Sequence, residues 1–177
     1  MPCFSFDGKR PIIGRECFVA ESAELIGDIR MGDRCYIGFG AVIRADYGRI
    51  VIGDETSIEE GCICHAKPGE TLSIGQRVTL GHGAIIHGAE IHREVVIGMG
   101  AVVGFDAIIG EGAVVAEGSV VPAGSAVPSG YMVGGVPAKV LKRIDSGQRA
   151  FIDKVKRVYV NLARTYDKRL RQIGVEP

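Results

Sequence analysis

Ile97-Gly98-Met99-Gly100-Ala101-Val102-Val103-Gly104-Phe105-Asp106-Ala107-Ile108-Ile109-Gly110 repeats its own pattern every six residues. An aliphatic residue followed by glycine opens each unit, and a small residue stands fourth after the aliphatic, at Ala101, Ala107 and Ala113. The pattern extends outward from about Val19 to Val133, through Met31-Gly32, Ile37-Gly38, Ile52-Gly53, Ile74-Gly75 and Leu80-Gly81. Cys35, Ala41, Thr56, Cys62, Val78, Ala84, Ser119 and Ser125 fill the compact position. So short a fixed period predicts an all-β solenoid in which each hexapeptide supplies one short strand and a corner. Three hexapeptides close one triangular coil, so every third repeat stacks on the same face. About Pro11 to Val136 should form six or so coils.

The stacking arithmetic places Ile43, Cys64, Ile86 and Val103 on one face in successive coils, and their successors are Arg44, His65, His87 and Gly104. Arginine and two histidines thus replace glycine in a single column. Stacked strands lie about 4.8 Å apart and successive side chains alternate sides. If the aliphatic residue points inward, His65 and His87 project side by side from the outer wall. Two imidazoles so placed can converge on one metal ion at about 2.0–2.1 Å each. The irregular steps agree: nine residues from Ile43 to Ile52, ten from Cys64 to Ile74, five from Ile86 to Ile91, all at one corner. Irregular segments gathered at one corner of a rigid scaffold are where function concentrates.

A metal site needs a third ligand, and His82 is the candidate. It stands two positions after Leu80, on the preceding face and near a different corner. It is therefore poorly placed to complete its own chain's pair, and a rotational trimer would supply it from a neighbour. A solitary outward histidine is normally a solvated side chain; two stacked and one offset argue for a metal. His92, beside Arg93 and Glu94, reads as a surface residue.

Composition frames this. The 177 residues are 46% hydrophobic, enough for one domain (1–177) with a continuous core. Lysine plus arginine equals aspartate plus glutamate at 21 each, so no global field argues for nucleic acid or a membrane surface. No 18-residue apolar run occurs and no charged stretch leads into an apolar one near the start, which predicts a cytoplasmic protein without signal peptide. Cys62-x-Cys64-His65 superficially resembles a thiolate cluster. However, Cys35 and Cys62 hold the inward small position and Cys64 the inward aliphatic one, so they read as core thiols rather than a disulfide framework.

Beyond the repeats the period changes. Phe151, Ile152, Val155, Val158, Tyr159, Leu162 and Tyr166 fall at helical spacing, which predicts a helix from an N-cap at Ser146 to about Gln172, ending before Gly174. Its polar side, Lys154, Lys156, Arg157, Arg164, Lys168, Arg169 and Arg171, reads as a solvated face. Packed back along an outer wall, such a helix would bring Tyr159 toward the histidine column, or would use it only for packing.

Taken together, Ala41-Val42-Ile43-Arg44-Ala45-Asp46, Ile63-Cys64-His65, Gly81-His82-Gly83-Ala84-Ile85-Ile86-His87-Gly88, Ile97-Gly98-Met99-Gly100-Ala101 and Val133-Gly134-Gly135-Val136-Pro137-Ala138-Lys139 resemble the gamma-class carbonic anhydrases. The closest likeness is to the branch with the phenylacetate-degradation and ferripyochelin-binding-type proteins. The glycine pattern and the Pro-Ala-Lys run are shared with hexapeptide acyltransferases. The resemblance implies a left-handed parallel β-helix with a C-terminal α-helix, assembled as a homotrimer with zinc at subunit interfaces. His65 and His87 would bind the metal from one subunit and His82 from the next. Zinc is the default, and nitrogen ligands also accept iron or cobalt. Water at the fourth position, its pKa brought near 7, would attack carbon dioxide. Arg44 and Asp46 correspond to an intersubunit ion pair beside the site, and Tyr159 and Asn161 to residues near the metal in some members.

Three departures stand out. Glu59, in Ile58-Glu59-Glu60, replaces a glutamine that orients the bound water, and its charge should raise that water's pKa. Tyr47 follows Asp46 where active members carry glutamate. The Ala66–Ser73 loop holds only Glu70, so the acidic proton-shuttle loop is missing. The expected function is slow, reversible hydration of carbon dioxide. The alternatives are acyl transfer or thioester hydrolysis on acyl-CoA, or a non-catalytic metal-binding trimer, because a shared fold does not settle function.

Overall fold

A computed structural model describes residues 3–171 and 173. The hexapeptides form a left-handed parallel β-helix of about seven turns. One face stacks Phe18–Val19, Tyr36–Ile37, Ser57–Ile58, Thr79–Leu80, Val96–Ile97, Val114–Val115 and Tyr131–Gly134 in parallel register. A second face, the histidine face, stacks the start of Val42–Ile52 on Ile63–His65, Ile85–His87, Val102–Val103 and Val120–Val121. The third carries Thr71–Ile74, Glu90–Ile91, Ile108–Ile109 and Ala126–Val127. The long strand Val42–Ile52 runs through the corner and joins the second and third faces into one sheet.

The inward aliphatic positions are the core. Ile37, Ile74 and Ile109 are at most 1% exposed, and Ile43, Cys64, Ile86 and Val103 are fully buried in one column. Burying a side chain of this size contributes about 1.5–3 kcal/mol, and a solenoid repeats that gain coil after coil. Cys35, Cys62 and Cys64 lie in this core as free thiols, as their inward positions require.

One corner is built from charge. Glu16, Arg34, Glu55, Arg77 and Glu94 follow one another up the stack, each with positive φ. Arg34 meets Glu55 at 3.0 Å, and Arg77 meets Glu55 at 3.3 Å and Glu94 at 2.6 Å. Side chains of alternating sign are thereby held one coil apart, a ladder that offsets the cost of left-handed backbone at residues other than glycine.

The chain leaves the solenoid through the antiparallel strand Lys139–Arg143 and enters helix α1, Ser146–Arg169. Its N-cap is Asp145 rather than Ser146. The Asp145 carboxylate accepts the Gln148 N–H at 2.8 Å, and the Gln148 side chain accepts the Asp145 N–H at 3.2 Å, a reciprocal capping box that serine at the next position cannot make. Leu170 is already extended; the expected end at Gln172 and Gly174 lies outside the described residues.

The helix lies on the first face, with Tyr159 and Tyr166 packed against Tyr36, and Tyr166 also against Phe18 and Phe39. Its basic side is not wholly solvated, as the sequence suggested. Lys156 is 3% exposed and donates to the Arg77 carbonyl at 2.6 Å and to Glu94 at 3.1 Å. Arg149 reaches the Gly112 carbonyl, Asp153 meets Arg77, and Arg164 meets Glu16. Residues 149, 153, 156 and 164 form one helical stripe, and the stripe runs along the charge ladder. Lysine at helical spacing reads as a solvent residue until the ladder beneath it is known.

Candidate metal centre

Two strands position the paired histidines. Ile63–His65 and Ile85–His87 each extend one residue beyond the two-residue strand of the next coil, Val102–Val103. His65 pairs in register with Arg44 below and His87 above. Their rings stand 5.1 Å apart and nearly parallel, at 14°. The projection expected from alternation along the strand is therefore what the fold delivers.

The surroundings of His65 are polar. One Arg44 guanidinium nitrogen lies 3.4 Å from its Nδ1, and an Asp46 oxygen lies 3.4 Å from its Nε2. Burial, then the Arg44 charge, lowers the His65 pKa, which favours the neutral ring that a metal ligand requires. Asp46 is kept below the usual carboxylate range: burial opposes this, but the Tyr47 N–H and the Arg44 charge prevail. Arg44 and Asp46 meet within one chain at 3.6 Å, because alternate residues of one strand share its outer side.

The irregular corner closes around this pair. The Ala66–Glu70 loop is shorter than expected, since Thr71–Ile74 forms a strand on Arg49–Ile52. Its one acid, Glu70, is tied to Lys67 at 3.0 Å. Lys67 also binds Asp106 at 2.7 Å and lies over the Phe105 ring, whose edge meets His87. Neither Phe105 nor Lys67 was picked out from sequence. Phe105 immediately follows Gly104, the register partner of His87 in the next coil, so the stacking arithmetic contains it.

His82 sits at another corner, half exposed, between two carboxylates. Its Nε2 is 3.2 Å from Glu59 and its Nδ1 is 2.6 Å from Glu60. Glu59 is buried beneath α1, and burial raises its pKa despite the nearby His82 and a hydrogen bond from Tyr159. Tyr36 donates to Glu60 at 2.7 Å, a contact the sequence did not suggest. Tyr159 therefore faces Glu59 and Tyr36, not the stacked pair of its own chain. Asn161, two residues on and about 200° around the helix, is exposed. His92 binds Glu90 at the surface.

Among the described residues of one chain, no three His, Cys, Asp or Glu side chains converge as a ligand set. The donor types nonetheless fit zinc, with two imidazoles side by side and a third at another corner.

No family model matches the chain. Gamma carbonic anhydrase 2, a mitochondrial protein of Arabidopsis thaliana, is 34% identical over 178 residues, covering 95% of this chain and 64% of that protein. A solved Bacillus cereus structure, provisionally described as an acetyltransferase, is 31% identical with a TM-score of 0.92, covering 95% of this chain and 98% of that one. The chain belongs to the gamma carbonic anhydrase-like family of hexapeptide-repeat proteins. The family also reaches the Escherichia coli carnitine operon protein CaiE, 39% identical over 99 residues, covering 56% of this chain and 50% of that protein. A hexapeptide transferase family protein from Anaplasma phagocytophilum is 30% identical with a TM-score of 0.87, covering 93% of this chain and 98% of that one. The chain spans less than two thirds of the length of these curated relatives. No helix of the described residues is long and apolar enough to cross a membrane.

Proposed function

We propose that this family member forms a homotrimer in which His65 and His87 of one protomer and His82 of the partner subunit bind zinc, and that it hydrates carbon dioxide reversibly. The observation that carries the reading is the parallel His65–His87 pair flanked by Arg44 and Asp46, with no third ligand converging among the described residues of its own chain. The histidine face supports the assembly. Ile63 and Ile85 stand beside the histidines in successive coils, over 40% exposed, a small apolar stripe suited to burial against a second copy. We place the protein in the branch with the phenylacetate-degradation-type proteins on the motifs around Arg44, His82 and Pro137, and assign it to the cytoplasm as part of the same proposal.

Bound zinc would supply a nucleophile near neutral pH by lowering the pKa of water. The chain's own residues do the rest. Arg44 and Asp46 hold the His65 ring in orientation. Glu59 is the hydrogen-bond acceptor in place of glutamine, with the Tyr159 hydroxyl fixing its carboxylate, and Asn161 faces outward toward a neighbouring subunit. With Glu70 tied to Lys67, proton export depends on buffer and turnover is slow. Sedimentation should give about three times the 18.8 kDa chain mass. Elemental analysis should find one zinc per chain, and stopped-flow assays should show hydration that rises with imidazole. A zinc-loaded trimer with no hydration above background at about pH 9 with abundant imidazole ends the anhydrase reading.

A second reading rests on His82. An imidazole bracketed by Glu59 and Glu60 is built like a general base, and two similar solved proteins bear transferase names. Acyl-CoA transfer or hydrolysis that persists in His65→Ala but is lost in His82→Ala would favour it. A zinc-bound trimer inactive in both assays would be a binding protein.

A further inference from the structure

Cys17 and Cys35 are eighteen residues apart, one full coil of three hexapeptides. Phe18–Val19 pairs in register with Tyr36–Ile37, so the two cysteines stand directly above one another at the same corner. Stacked strands set their Cα atoms about 4.8 Å apart, inside the 4.4–6.8 Å span that a disulfide bridges. The Cys35 N–H donates to the Cys17 sulfur at 3.4 Å, and the Cys17 thiol lies 3.2 Å from the Gly32 carbonyl. Cys17 is partly open to solvent, whereas Cys35 is fully buried and lies 3.2 Å from the Gly53 carbonyl.

The other cysteines lack this arrangement. Cys64 stacks between Ile43 and Ile86. Cys62 holds the compact position between Ala41 and Ala84, whose strands pair with its own, and Cys3 lies exposed at the first strand. Among the described residues, one pair of thiols is stacked.

We propose that Cys17 and Cys35 are a peroxide-responsive thiol pair that closes to a disulfide in the folded protein, stapling the first coil to the second. The Cys17 thiolate attacks hydrogen peroxide. A sulfur–oxygen bond forms, the O–O bond breaks, and hydroxide leaves, giving a sulfenic acid at Cys17. The Cys35 sulfur then attacks the Cys17 sulfur, the S–O bond breaks, and water departs with the Cys35 proton. Two thiols and one peroxide become one disulfide and two waters.

The roles are asymmetric. Cys17 is brought down to about 7 by its contact with the Cys35 thiol and the Cys35 N–H, against the cost of burial, so much of it is thiolate at neutral pH. The Cys35 thiol is pushed up by the same contact and by burial, which suits a resolving thiol that reacts only once its neighbour is oxidised. Cys62 is pushed up to about 12 by burial and should stay inert.

The test treats the folded full-length chain with a small excess of hydrogen peroxide, alkylates the remaining thiols after denaturation, and maps disulfides by mass spectrometry. The expected product has lost about 2 Da and contains a Cys17–Cys35 cross-link, with Cys62 and Cys64 alkylated. The oxidised chain should melt several degrees higher, reversibly with dithiothreitol. Cys35→Ser should stop at a Cys17 sulfenic acid trapped by a 1,3-dione, and Cys17→Ser should leave Cys35 unmodified. Oxidation confined to Cys3, or a cross-link seen only after unfolding, overturns the proposal. If either variant fails to fold, the wild-type map still decides.

Discussion

His87 and Gly104 occupy the same column one coil apart, and the difference between them shows how this fold makes room for chemistry. After His87 the strand has run one residue further and the chain turns through a five-residue step. After Val103 the regular hexapeptide turns at once, and a Cβ on Gly104 would lie 2.6 Å from the Ala123 N–H nitrogen. The regular coil has no space for a side chain there. Coils with altered corners do, and they carry Arg44, His65 and His87. The glycine is thus a steric requirement of the regular corner, and the irregular lengths free the position for a functional residue.

The strongest way to break this contrast is to remove the imidazoles. His65→Ala, His82→Ala and His87→Ala should each lose most bound zinc and reduce carbon dioxide hydration to background, since a three-ligand site has no spare donor. His92→Ala should change neither. Zinc loss in His92→Ala with retention in His82→Ala would show that the ligand set is misassigned.

Adding an imidazole in the regular coil tests the other side. Gly104→His should recruit no metal and should cost about 2–4 kcal/mol by forcing backbone apart, read from chemical denaturation. A stable variant that binds additional zinc would show that corner length does not control the column.

The ladder-bearing corner supplies a smaller effect. Lys156 is lowered from 10.5 to about 8, chiefly by burial. Below about pH 8 both folded and unfolded chains hold this proton, and the penalty of a buried charge is fully present. Between about 8 and 10 the unfolded chain still binds it while the folded chain has released it, so this group makes stability rise with pH, by about 2–3 kcal/mol. Lys156→Met should flatten that rise in denaturation curves recorded across the window. An unchanged slope would place the titration elsewhere.

The smallest expected change is a shift in profile rather than a loss. Glu59→Gln removes an anion near the proposed site, so the pH dependence of hydration should move down by about 0.5–1 unit, measured by stopped flow with zinc content unchanged. Movement upward would mean that Glu59 does not act on the bound water through its charge.

Much of this was legible before any coordinates. The hexapeptide period determined the solenoid because each unit must bury its aliphatic residue against the units above and below, and the column of Arg44, His65 and His87 followed from counting coils. Stacking is strictly local, so sequence distance converts directly into spatial position. The same rule would have reached the Cys17–Cys35 stack and Phe105. Contacts made by the helix were another matter. Nothing in helical periodicity states where along a uniform β-face a helix will dock, and its position depended on tertiary matches: Lys156 to Glu94, Arg164 to Glu16, Tyr159 and Tyr166 to the aromatic cluster around Tyr36. Those matches buried a lysine that reads as solvated, carried Tyr159 to Glu59 rather than to the stacked histidines, and enclosed Glu59 beneath the helix. Repetition let the sequence determine the scaffold and its histidine column; only the packed structure decided which polar groups lost their water.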